Sequence, residues 1–71
     1  MLTEHHVVPR SRGGSSRLEN IAEVQNLDHR NYHVLFSNKI PEEIVKYLVN
    51  HYWKGDWSYV KRAYESNKFK Y

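Results

Sequence analysis

The spacing of apolar residues changes character along the chain. Residues 2–8, LTEHHVV, end in β-branched side chains and stop at Pro9, which predicts a strand. Residues 20–25, NIAEVQ, alternate Ile21 and Glu23 with Ala22 and Val24, a period of two that predicts a second strand pairing back on the first. Between them, residues 9–19, PRSRGGSSRLE, form a polar loop. Its Gly13-Gly14 pair implies either a tight turn with positive φ or a backbone that another group must approach closely.

From Asn26 onward the spacing becomes helical. Leu27, Tyr32, Leu35 and Phe36 fall at helical intervals together with His29 and His33, and Asn26 or Asp28 can cap the start. Ser37-Asn38 breaks this helix. Pro41-Glu42-Glu43 opens another, with proline in the first turn and two acids at the positive end of the dipole. Ile40, Ile44, Tyr47, Leu48 and Tyr52 line its apolar face, and Gly55 ends it. Asp56 is placed to cap a last helix carrying Trp57, Val60, Ala63 and Tyr64, with the tail SNKFKY expected to fray. The order β-β-α-α-α predicts an α+β protein: a two-stranded antiparallel hairpin and a helix, followed by two C-terminal helices.

With 71 residues and no cysteine, one small domain must hold together without disulfides or thiolate zinc sites. Its five histidines are the only soft metal ligands, and a bound metal would contribute folding energy. Eleven Lys/Arg against eight Asp/Glu give +3, mildly basic and compatible with a polyanionic partner. No apolar run is long enough to span a bilayer and no secretory signal is evident, so a cytoplasmic location is the expectation. The aromatic content leaves room for a homodimer or for a place within a larger protein. Trp53 and Trp57 read as core residues and His51 as a helix-surface residue.

Four of the histidines fall in two pairs. His29 and His33, four apart on a helix, stand one above the other at ~5–6 Å between Cβ atoms and can converge on one cation. Alone, such a pair is more often structural. His5 and His6 are adjacent on a strand and point to opposite sides, so at most one of them can share a given face with the helical pair. Three imidazoles around one ion leave coordination positions open, as catalytic sites do, whereas structural sites normally close with four protein ligands.

The run HHVVPRSRGG at residues 5–14, followed by Asn20 and then His29 and His33, resembles the HNH (ββα-metal) endonucleases, in particular the His-rich branch that includes the nuclease colicins. The resemblance covers about residues 4–36. It implies an HNH motif over residues 1–37 and a helical extension over residues 38–71 packed on it, within one compact domain. It implies His5, His29 and His33 as metal ligands and His6 as the general base. Asn20 is then the residue whose hydrogen bonds hold that base in orientation. The two CxxC zinc pairs and the separate DNA-binding module of many family members have no counterpart here.

The implied activity is hydrolysis of nucleic-acid phosphodiesters, most naturally in double-stranded DNA, with one divalent metal. Three imidazoles favour zinc, nickel or manganese, and magnesium is also compatible. A neutral imidazole is suited to taking a proton from water near neutral pH. Arg10, Arg12, Arg17 and Arg30 are the candidates for gripping phosphates beside the cut. The competing reading is a non-catalytic nucleic-acid-binding module with a structural zinc, which would need neither His6 nor Asn20.

Overall fold

The computed structural model describes residues 1–68. An antiparallel hairpin, β1 (Leu2–His6) and β2 (Ile21–Gln25), is followed by three helices, α1 (Asn26–Phe36), α2 (Pro41–Tyr52) and α3 (Ser58–Lys68). The protein is therefore a small α+β fold with the expected order of elements. Its register sets Thr3 opposite Val24 and His5 opposite Ala22, so alternation gathers these four on one side of the hairpin. That side faces α1, where the Tyr32 ring lies 4.5 Å from the His5 ring, edge-on. On the other side Glu4 stands opposite Glu23, a like-charged pair tolerated because both are exposed.

β1 ends at His6, two residues earlier than the β-branched run suggests. The cause is Asn20. Its backbone carbonyl accepts the Val7 N–H, while its side-chain amide takes both polar groups of Val8. A side chain thus replaces the partner strand at the open end of the hairpin.

Neither Asn26 nor Asp28 caps α1 through its side chain. The helix begins after Gln25 without a side-chain cap, and the Asn26 N–H donates to the Met1 carbonyl at 3.0 Å. The residue preceding β1 thus satisfies a helical donor that a cap would otherwise serve. α2 starts with Pro41, and the Glu43 carboxylate accepts the Ile40 N–H at 3.1 Å. An isoleucine side chain offers no acceptor, so only this half of a capping box forms. At its far end the Gly55 N–H reaches the Val49 carbonyl at 2.8 Å with φ 73°, as in a glycine C-cap. α3 starts at Ser58, one residue later than expected, and the Trp57 carbonyl accepts its first helical bond. Asp56, one residue before the cap position, accepts both the N–H and the hydroxyl of Ser58 through Oδ1. Ser66–Lys68 continue that helix, so this part of the expected tail is ordered; residues 69–71 lie outside the described residues.

Among the described residues only Ile44 and Val49 are buried apolar side chains. Val49 was not among the expected core positions, and Tyr52, which was, is 57% exposed. Trp53 and Trp57 are also exposed rather than core. An Arg12–Glu43 ion pair, bidentate at 2.8 and 2.9 Å, joins the loop after β1 to the first turn of α2. Asn38 reinforces it, accepting from Arg12 and donating to Ser11. No helix among the described residues is long and apolar enough to cross a membrane.

Candidate metal centre

His5, His29 and His33 come together, with one ring nitrogen of each lying within 4.8 Å of the others. His5 enters from the inner side of β1, and the other two from successive turns of α1. His5 is buried, yet its Nδ1 has no hydrogen-bond partner. A buried polar nitrogen without a partner is costly. A cation bound by that nitrogen would satisfy it.

The neighbours of the two helical imidazoles determine where their protons sit. His33 Nδ1 lies 3.3 Å from the Ser37 carbonyl, which can only accept, so this nitrogen carries hydrogen. His29 Nδ1 lies 2.9 Å from Thr3 Oγ1. The Thr3 hydroxyl donates to the Val24 carbonyl at 3.4 Å, which leaves its oxygen to accept from His29. Both neutral rings then carry hydrogen on Nδ1 and a lone pair on Nε2. Those two Nε2 atoms face each other at 2.9 Å. Two lone pairs at that distance repel unless a proton or a metal lies between them. The three donors and their supports therefore fit a divalent ion bound by neutral nitrogen.

Burial, followed by the nearby imidazoles of His29, His33 and His6, lowers the pKa of His5. Both causes keep the ring neutral, the form that binds metal. Tyr32 packs against His5 and His33, and burial raises its phenol pKa. A pocket of about 190 Å³ adjoins the centre, lined by His5, Val24, Asp28, His29 and Tyr32.

His6 is not part of the triad. It occupies the next position on β1, half-buried, with Nε2 at 3.2 Å from Ser16 Oγ. Asn20 makes no hydrogen bond to His6. Its amide instead clamps Val8 and donates to the Ser15 carbonyl at 2.8 Å, so its influence on His6 runs through the Ser15–Ser16 backbone. The two glycines fulfil the two alternatives read from the sequence, one each. Gly13 has φ 92°. A Cβ on Gly14 would lie 1.7 Å from the Val8 carbonyl oxygen, so only glycine lets the loop close over Asn20.

The four arginines are placed differently. Arg12 is engaged by Glu43 and is not free to bind phosphate. Arg10 and Arg30 are exposed without side-chain partners among the described residues, and Arg17 makes only a 4.0 Å contact with Glu19. Sequence reasoning missed Thr3, Ser16 and the Ser37 carbonyl. Only Thr3 carried a signal, since residues 3 and 5 of a strand share a face.

Comparison with known proteins brings out no match: no family model matches the chain, nor does any curated protein or solved structure.

Proposed function

We propose that the protein is a metal-dependent endonuclease of the HNH (ββα-metal) kind, hydrolysing phosphodiester bonds, with double-stranded DNA as the first substrate to test. One observation carries the reading. Three imidazoles from β1 and α1 converge, one ring nitrogen of each within 4.8 Å of the others, with the His29 and His33 Nε2 atoms facing each other at 2.9 Å. A fourth histidine, His6, follows directly on the strand outside the triad. The order of these residues around Asn20 and the glycine turn is the order that resembles the HNH nucleases.

His5, His29 and His33 would hold the ion, with zinc, nickel or manganese suited to nitrogen donors and magnesium also to be tried. Such an ion supplies charge stabilisation for the phosphoryl group and the leaving oxygen. The remaining roles belong to the chain. His6 takes the proton from the attacking water. When His6 Nε2–H donates to Ser16, Nδ1 is left as the base, and this is the tautomer the proposal requires. Asn20 positions Ser15 and Ser16, and with them the His6 ring. Arg10, Arg17 and Arg30 are available for flanking phosphates; Arg12 instead ties the loop to α2.

Incubation of supercoiled plasmid with the protein and each of Mg, Mn, Ni and Zn tests the reading. Nicking is expected with at least one metal. His6→Ala is expected to abolish it while metal affinity, measured by calorimetry, persists. Absence of nicking by the unaltered protein with every metal sinks the proposal, and nicking retained by His6→Ala sinks the assignment of the base.

A further inference from the structure

Away from the histidines, the turn from α2 into α3 presents aromatic side chains to solvent. Tyr52, Trp53, Trp57 and Tyr59 are 57%, 39%, 46% and 51% exposed. They are the largest flat apolar groups available to the chain, and both of its tryptophans are among them. A protein this poor in buried side chains would be expected to draw such residues inside. Instead the Trp53 and Tyr59 rings lie 6.4 Å apart, tilted at 58°, and with Tyr52 they border an open pocket of about 250 Å³. The accessible surface, 5990 Å² for 8.6 kDa, exceeds the ~4,700 Å² typical of a compact monomer of that mass.

The charges interleaved with the rings favour one kind of partner. Lys54 borders the pocket, and Lys61 follows Trp57 by one helical turn. Arg62 lies over the Tyr59 ring at 4.8 Å and donates to Ser58. The acid at the pocket, Asp56, already accepts two hydrogen bonds from Ser58, and the other acid on this stretch is Glu65 on α3. Lysine and arginine alternating with exposed aromatic rings suit a chain that carries phosphates outside and flat bases within reach. Bases are within reach only when unpaired, because a duplex buries their faces in its own stack.

We infer that the α2–α3 corner is a docking surface for single-stranded nucleic acid, with Trp53 and Tyr59 as stacking platforms and Lys54 and Arg62 contacting phosphates. It is separate from the histidine centre and does not depend on turnover there.

Trp53 borders the pocket, so with Trp57 replaced by Phe the intrinsic fluorescence reads this surface directly. The full-length protein, with chelator present, is titrated with oligo(dT), with a blunt DNA duplex of equal charge and with inorganic polyphosphate. The chelator makes the outcome independent of cleavage. Oligo(dT) is expected to quench the emission and to bind more tightly than the duplex, and polyphosphate to leave the emission unchanged. Trp53→Ala and Tyr59→Ala, read by the anisotropy of labelled oligo(dT), are each expected to weaken its binding about tenfold. Lys54→Glu, which leaves the rings in place, is expected to weaken it and to reduce its salt dependence. Equal quenching by duplex or polyphosphate overturns the inference, as does unchanged affinity in Trp53→Ala and Tyr59→Ala. A change in emission that tracks protein concentration alone, with a doubled mass by light scattering, would reassign the surface to self-association.

Discussion

Ser37 has φ 52° and ψ −124°, a backbone conformation that glycine adopts freely and an L-residue only at a cost of ~1–3 kcal/mol. It is tolerated where its carbonyl accepts from His33 and its N–H closes the last turn of α1. Both contacts are made by backbone, so Ser37→Gly keeps them and relieves the strain. The expected outcome is a gain of about 1 kcal/mol, a rise of roughly 4–8 °C in melting temperature, with metal affinity unchanged. A melting temperature equal to or below that of the parent contradicts the strain argument. Thr3 is the opposite case, because there the side chain itself makes the contact. Thr3→Val removes the acceptor for His29 Nδ1 at nearly constant volume and is expected to weaken metal binding by ~10–100-fold. Thr3→Ser, which restores the hydroxyl, should recover most of it. Equal affinity in the valine variant would mean that the hydroxyl does not orient the ring. The pairing of His29 with His33 was legible in the helical period, and strand alternation allowed only one of His5 and His6 to join them; that it is His5 came from the family resemblance alone. The Ser37 carbonyl was not legible, since a backbone acceptor in a turn leaves no mark on residue type.

At the level of elements, the loop after β1 and the start of α2 are joined by the Arg12–Glu43 pair. The Arg12 guanidinium, with the Ile40 N–H, lowers the Glu43 carboxyl to about 2. A folded-state pKa below the ordinary value means that the unfolded chain binds the proton first as pH falls. The stabilisation is therefore complete above about 4.5 and is lost progressively as pH drops towards 2. The melting temperature of the parent should fall across that range, and Glu43→Gln should flatten the fall while lowering the plateau above pH 5. A variant as acid-sensitive as the parent would place the sensitivity elsewhere, with Asp56, whose carboxyl Ser58 holds below the ordinary value, the first alternative. This tether explains why element order was more legible than element ends. Proline at the start of α2, Asp56 before α3 and the switch of period near residue 26 are local signals. The Met1 carbonyl at the start of α1 and the Asn20 amide in place of a strand are long-range partners, which no local pattern encodes. Arg12 read as a phosphate contact for the same reason: its partner, Glu43, is remote in sequence.

For the whole molecule, the radius of gyration is 13.8 Å, against ~11 Å for a compact domain of 71 residues. Among the described residues the two buried apolar side chains lie on α2, and at the interface of the hairpin with α1 the buried group is a histidine. Where most small domains place aliphatic packing, this one places a ligand set whose donors repel or go unpaired until something cationic joins them. Metal binding should therefore act as the missing core contact between β1 and α1. A ligand present at one hundred times its Kd stabilises the folded state by about 2.7 kcal/mol, which for a protein of this size corresponds to a rise on the order of 10–20 °C. Adding zinc, nickel or manganese to protein pretreated with chelator is expected to raise the melting temperature by that amount, and chelator to reverse it. His33→Ala isolates the cause. Its ring is exposed, so the metal-free melting temperature should change little, while the metal-dependent rise should largely disappear. A rise of equal size in His33→Ala would show that the ion binds elsewhere, and the convergence of the three rings would then have no part in holding the hairpin to its helix.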